Sequence, residues 1–316
     1  MEKKLGKATR DVYGQVLVEL GKKNPNVVVL DADLSKSTKS ADFGKAYPDR
    51  FFNVGIMEAN MVGVASGLAA AGKIPFISSF ATFLISKGYD QLRMGVAFSE
   101  LNVKVVGSHG GISVGEDGAS QMSIEDISLT TSLPGFTVMI PSDEFATRAL
   151  VEQAADHKGP VFIRTCRPKA PLIHQPNTSF KIGKGIRVRD GKNISLIANG
   201  LLVFEALEAA EALAKEGIQA SVIDMHTIKP LDEALLIEES KKTGHVVVCE
   251  EHQIWGGLGS AVATLLSQKA PCKMGFIAIQ DTFAESGQPA ELFDKYGLSA
   301  KHIIQAAKKV LVRFGI

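Results

Sequence analysis

Between Gly107 and Asp126 the chain reads GSHGGISVGEDGASQMSIED, a glycine-rich loop set between two apolar runs. It presents His109, Asp117 and Gln121 close together in sequence. An imidazole changes charge near neutral pH and can move protons, while a carboxylate and a carboxamide supply polar contacts to a ligand. His109 ends an apolar run and enters Gly110-Gly111, where a backbone without side chains can approach a ligand closely. The alternating acids of an EF-hand calcium loop are absent, and so are the lysine and spacing of a phosphate-binding P-loop. Taken singly, the histidine could equally be a satisfied polar group and the Asp-Gly pair a turn.

Other residues join this set by position. In an open parallel sheet, ligands bind beyond the carboxyl ends of the strands. Polar groups just after apolar runs are therefore collected: Asp33 and Ser37, then Ser78, Ser79 and Phe80, then His109, then Arg167. Glu58 opens the segment after FFNVGI. It could favour a helix dipole, or, beneath Met57 and Met61, share a proton with a nitrogen heterocycle. Phe80 and Phe83 could be core aromatics, or one could lie flat against a planar ring. Arg10 and Arg167 could form surface ion pairs, or grip a phosphate with their guanidinium forks.

The elements that must position these groups alternate. NVVVLDA, KIPFISSF, LNVKVVGSH, FTVMIPS and GPVFIRT are short, rich in β-branched residues and apolar on both faces, as buried parallel strands are. MEANMVGVASGLAAAG, LISKGYDQLRMGVAF and DEFATRALVEQAADH between them are helical in spacing, and Pro141-Ser142-Asp143 marks a helix start. The segment CRPKAPLIHQPNTSFKIGKG breaks the rhythm and reads as a linker over the surface. Alternation then resumes from NISLIANG to the final helix AKHIIQAAKKVLVRF. The pattern predicts an α/β fold of two doubly wound domains, residues 1–185 and a smaller one, 186–316.

Composition sets limits. The chain has 316 residues, 45% apolar and 22% charged, with 35 basic and 34 acidic side chains. That balance argues against nucleic-acid or membrane-surface binding through bulk charge. Cys166, Cys249 and Cys272 are odd in number and widely spaced, which predicts neither a disulfide framework nor a zinc site. With no apolar signal core or membrane-length run, a cytoplasmic protein is expected.

As a set, GSHGGISVGEDGASQMSIED, IMEANM, SSFATF, ATRDVYGQ and FIRTCRP resemble the C-terminal half of transketolase, a thiamine-diphosphate enzyme. TIKPLD and ESGQPAELFDKYGL extend the resemblance over essentially the whole chain, as a pyrimidine-binding domain followed by the family's C-terminal domain. The resemblance implies roles. Glu58 hydrogen-bonds N1′ of the cofactor's aminopyrimidine, Phe83 stacks on that ring and Phe80 lies beside it. Gln121 contacts the cofactor where some relatives carry histidine, and Asp33 matches an acid near it. His109 and Asp117 contact the sugar hydroxyls, with His109 moving protons, and Arg10, Ser37 and Arg167 hold the substrate phosphate. The implied reaction moves a two-carbon ketol unit from a ketose phosphate to an aldose phosphate, the cofactor supplying the carbon–carbon chemistry.

A full transketolase is expected to be roughly twice as long, and its first half carries the diphosphate and magnesium site, marked by GDG and a later Asn. EDG at 116–118 and RDG at 189–191 are not placed like that motif. The expectation is thus a split enzyme. This chain holds the pyrimidine end, no metal of its own and a dimer contact within a heterotetramer, while a separate N-terminal subunit holds diphosphate and magnesium. Three rivals are weighed. The β subunit of a 2-oxo-acid dehydrogenase shares the length and the glutamate, but the His109 loop with Arg10, Ser37 and Arg167 suits a sugar phosphate better. Deoxyxylulose-phosphate synthase is unusual at half length. A non-catalytic scaffold or regulatory subunit has no need of Glu58 or Phe83.

Overall fold

The computed structural model describes residues 3–312. Fourteen strands follow in chain order: β1 (Leu5–Ala8), β2 (Val27–Asp31), β3 (Phe51–Asn53), β4 (Ile74–Phe80), β5 (Lys104–Ser108), β6 (Thr137–Met139), β7 (Val161–Thr165), β8 (Lys169–Pro171), β9 (Ile186–Arg189), β10 (Ile194–Ala198), β11 (Ala220–Asp224), β12 (Thr227–Lys229), β13 (His245–Gln253) and β14 (Lys273–Ile279). The apolar runs are strands because buried β-branched side chains fill both faces of a sheet covered by helices. β2, β5 and β7 are buried at every position.

The first sheet runs β12-β6-β7-β5-β4-β2-β3 and the second β14-β13-β10-β11-β9. Pairs in the first are parallel except β12 with β6, and in the second except β9 with β11. This is the expected α/β architecture of two doubly wound sheets. β12 lies beyond residue 185, yet it completes the edge of the first sheet, with Thr227 opposite Met139. One buried apolar cluster includes Leu30, Ile77 and Val105 of the first sheet and Ile197, Ile223 and Val248 of the second. The two layers therefore pack as neighbours.

The helix Glu144–Asp156 starts where expected, because the Asp143 carboxylate accepts from the Phe145 and Ala146 amides at 3.0 and 2.9 Å. The helix Ala81–Gln91 continues into a wider π-type turn, Leu92–Ala97. The stretch 166–185 departs from a simple surface linker. β8 pairs with β1, and His174 and Phe180 are buried. His174 Nε2 lies 2.8 Å from Asp224 Oδ2, which also accepts from Ser142 Oγ at 2.6 Å. The stretch is a strap whose buried His174 is anchored on Asp224 of β11 in the second sheet. No helix among the described residues is long and apolar enough to cross a membrane.

Candidate active site

The carboxyl end of the first sheet gathers most of the singled-out residues through direct contacts. β5 delivers His109, β4 ends at Phe80, and the helix Ala81–Gln91 carries Phe83 one turn on. The Phe80 ring stacks on the His109 imidazole, centroids 3.9 Å apart, and on Phe83 at 5.6 Å. Such offset stacking adds about 0.5–1.5 kcal/mol per aromatic pair beyond burial. His109 takes a left-handed backbone with φ of 59°, a conformation that costs a non-glycine residue order 1–3 kcal/mol. Its surroundings hold it there. Nδ1 lies 2.8 Å from Ser108 Oγ, and Nε2 lies 3.1 Å from Arg10 Nη1. A guanidinium only donates, so Nε2 accepts and Nδ1 carries the proton toward Ser108. Burial first, then the charges of Arg10 and Arg167, push the imidazole pKa down to about 3. His109 is therefore neutral across the physiological range.

Arg10 also donates to the Ser37 carbonyl at 3.1 Å, while its buried Nε has no partner. Thus Arg10, Ser37 and His109 meet at one place. Arg167 approaches the same imidazole and spans the loop, donating to the Val114 carbonyl and to Glu116 Oε2 at 3.0 Å; Asp117 lies at 3.5 Å.

Glu58 starts the helix Glu58–Ala70 and is 3% exposed. One oxygen, Oε2, lies 3.6 Å from Lys87 Nζ, and the other, Oε1, is buried without any partner. Lys87 is carried one turn beyond Phe83, and its ammonium sits 4.6 Å from the Phe83 ring centroid. Glu58 and Phe83 thus share one cation. A buried acceptor left open beside an aromatic face is what a heterocycle with a ring nitrogen and an amino group would use.

The loop after His109 differs from expectation in what its glycines face. A Cβ on Gly110 would meet Arg164 side-chain atoms at 2.5 Å, and one on Gly111 would meet the Glu251 carboxyl at 2.2 Å. The close approach is to the protein itself, to Arg164 on β7 of the same sheet and to Glu251 on β13 of the second. Arg164 forks onto Asp126, with Nε to Oδ2 at 2.8 Å, and donates to the Glu251 carbonyl at 2.7 Å. Farther on, Gly115 and Gly118 abut Gly287 and Ser286, and Gln288 Nε2 donates to Glu116 Oε1 at 3.1 Å. The ESGQP segment therefore backs the loop, giving the C-terminal layer a positional role that its residues alone did not reveal.

Two residues make their hydrogen bonds elsewhere. Exposed Asp33 pairs with Asn53 at 3.0 Å, and half-buried Gln121 accepts from Ser120. The buried acid at this edge is Asp31, which accepts from Thr38 Oγ1 and Ser40 Oγ, both at 2.8 Å, and so shapes the turn bearing Ser37. Ser78 bonds Tyr13 at 2.7 Å and Ser79 Oγ is buried without a partner. Lys87, Ser108, Asp31 and Arg164 escaped sequence reasoning. The i, i+4 spacing of Phe83 and Lys87 on one helix was the only signal available for any of them.

The chain carries a pyrimidine-binding α/β domain, matching the family described as transketolase, pyrimidine binding domain, over residues 6–171. Residues 183–303 match transketolase, C-terminal domain, and the chain belongs to the transketolase family. It is 44% identical to a putative transketolase C-terminal section of Methanocaldococcus jannaschii, covering 96% of this chain and 97% of that one. It is 43% identical to the 6-deoxy-6-sulfo-D-fructose transketolase subunit SqwH of a Clostridium species, over 96% of this chain and 94% of the other. A solved structure described as a split gene transketolase, inactive beta4 tetramer, superposes with a TM-score of 0.91 at 47% identity, over 97% and 99% of the two chains.

Proposed function

We propose that this chain is the pyrimidine-holding subunit of a split transketolase. In this reading it transfers a two-carbon ketol unit from a ketose phosphate to an aldose phosphate. The observation that carries the reading is the open Oε1 of buried Glu58 beside Phe83, in one contact chain with Phe80, His109 and Arg10. Glu58 and Phe83 would hold the aminopyrimidine of thiamine diphosphate, with Phe80 behind Phe83 and Gln121 and Asp33 near the ring. When bound, that cofactor supplies the electron sink for breaking and making the carbon–carbon bond.

The chain's own residues do the rest. Glu58 would hydrogen-bond the ring nitrogen through its open, buried Oε1. Neutral His109 offers Nε2 as a lone pair, so it can take a proton from a sugar hydroxyl and return it at a carbonyl oxygen once Arg10 turns to the substrate. Arg10, with its free Nε, the Ser37 turn and Arg167 would hold the phosphate, and Asp117 a hydroxyl. The aromatic ladder excludes water from this side.

Diphosphate and magnesium are left to a second polypeptide. Two similar chains carry names that describe a transketolase section and a transketolase subunit, in support of that division. The helix Glu58–Ala70 supports it further. Its composition is apolar almost throughout, yet Val64, Gly63 and Gly67 are exposed, and so are Ile56 and Met57 just before it. A helix apolar on all sides is ordinarily covered, and here cover would come from other subunits of a heterotetramer. Mixing the chain with its diphosphate-binding partner, thiamine diphosphate, magnesium and a ketose phosphate tests the reading. Turnover is expected in the mixture only; robust turnover by this chain alone would overturn the split assignment.

A further inference from the structure

Lys87 is the group that the proposed reaction does not use, although it touches both Glu58 and Phe83. Its Nζ sits 3.6 Å from Glu58 Oε2 and 4.6 Å from the Phe83 ring centroid. A ring lying on Phe83 and hydrogen-bonded to Glu58 needs this same space. The two partners of the ion pair differ in freedom. The glutamate side chain is 3% exposed and fixed at a helix start, whereas the lysine is 52% exposed on a long flexible stem. Only the lysine can leave.

We infer that Lys87 is a removable plug on the pyrimidine site, an autoinhibitory contact that neutralises Glu58 and covers Phe83 until the cofactor displaces it. The inference rests on the reading of Glu58 and Phe83 given above. Its physical logic is competition. A buried carboxylate left without a counter-charge is costly, so the lysine stabilises the empty pocket and the heterocycle must replace that contact before gaining its own. The cation over the aromatic face adds to the hold. Because the lysine is half in water, the hold is weak enough to be broken by a ligand.

The test measures affinity by titration calorimetry. Thiamine diphosphate with magnesium is titrated into the complex of this chain with its diphosphate-binding partner, for the wild type and for Glu58→Gln, Lys87→Met and Lys87→Arg. Lys87→Met should bind up to about five-fold more tightly, the most a half-exposed ion pair can withhold. Lys87→Arg, which keeps the cation, should stay within about two-fold of wild type, while Glu58→Gln should bind more weakly. Unchanged or weaker binding by Lys87→Met, with Glu58→Gln weakened, overturns the plug and leaves the pocket assignment standing. Equal binding by Glu58→Gln and wild type overturns the pocket itself. As a second readout, the amine of Lys87 should acylate faster in Glu58→Gln than in wild type when the chain is tested alone; equal rates also count against the plug.

Discussion

Arg10 Nη1 lies 3.1 Å from His109 Nε2, and this one contact decides which imidazole nitrogen holds the proton. Because the guanidinium has no lone pair to offer, His109 points an unprotonated Nε2 into the site and anchors Nδ1–H on Ser108, 2.8 Å away. An imidazole fixed in this way is neutral and a hydrogen-bond acceptor at physiological pH.

The first prediction concerns that charge state. Imidazole resonances of His109 should show no titration between about pH 5 and 8, since its pKa is held at about 3 by burial and by Arg10 and Arg167. In Arg10→Ala one cause is removed while burial remains. The midpoint should therefore rise but stay below the ordinary value of 6.5, as read by NMR of the ring protons.

Glu58 gives the second. In the assembled enzyme, Glu58→Gln and Glu58→Ala should lower kcat by on order 10²–10⁴, the usual range for removing a positioned proton-transfer group. Circular dichroism should remain that of the wild type. Retained activity would favour a scaffold role for this subunit.

For the third, Arg10→Ala and Arg167→Ala should each raise KM for a phosphorylated acceptor by about 10- to 100-fold, the value of a charged hydrogen bond. Unphosphorylated sugars should be far less affected. A substrate panel differing only in the phosphate distinguishes this from general damage to the loop. A sulfonate in place of the phosphate presents the same fork of oxygens, so it should share the arginine dependence.

Stability supplies the fourth. Arg164 is buried and forks onto Asp126, which is wholly buried too. Arg164→Met leaves that carboxylate unpaired and should cost about 3–5 kcal/mol in urea unfolding. Loss below about 1 kcal/mol would mean the cluster is already relaxed by water.

The fifth works through pH. Glu250 and Glu251 are pushed up from 4.5 to about 7, by burial first. The folded chain then holds protons that the unfolded chain releases above 4.5, so their contribution is present below that pH and lost as pH rises through 7. His109 and His252, pushed down from 6.5 to about 3 and about 4, act oppositely. Their contribution is present above 6.5 and lost as pH falls. The opposing contributions cancel between about pH 4.5 and 6.5, so the melting temperature should be flat there and fall on either side. Glu251→Gln keeps an acceptor for the Ser113 amide and should flatten the decline above about pH 6.5, measured by calorimetry.

Much of this was legible in the residues themselves. Strands β2, β4, β5, β7 and β10 announce themselves because a parallel strand buried on both faces is largely apolar, a local property. The rule that ligands sit past strand ends then brought His109, Ser37 and Arg167 into one set, and motif order supplied Glu58 and Phe83. Tertiary structure decided the rest. That β12 returns to the first sheet, that Gly110 and Gly111 make room for Arg164 and Glu251, and that ESGQP backs the loop are contacts between residues far apart in sequence. Nor could sequence give the tautomer of His109 or the lysine over Glu58. Each depends on an ångström-scale distance between side chains from different elements, and no spacing along one chain encodes where two helices meet. The sequence determined which groups the protein possesses; packing determined which of them touch.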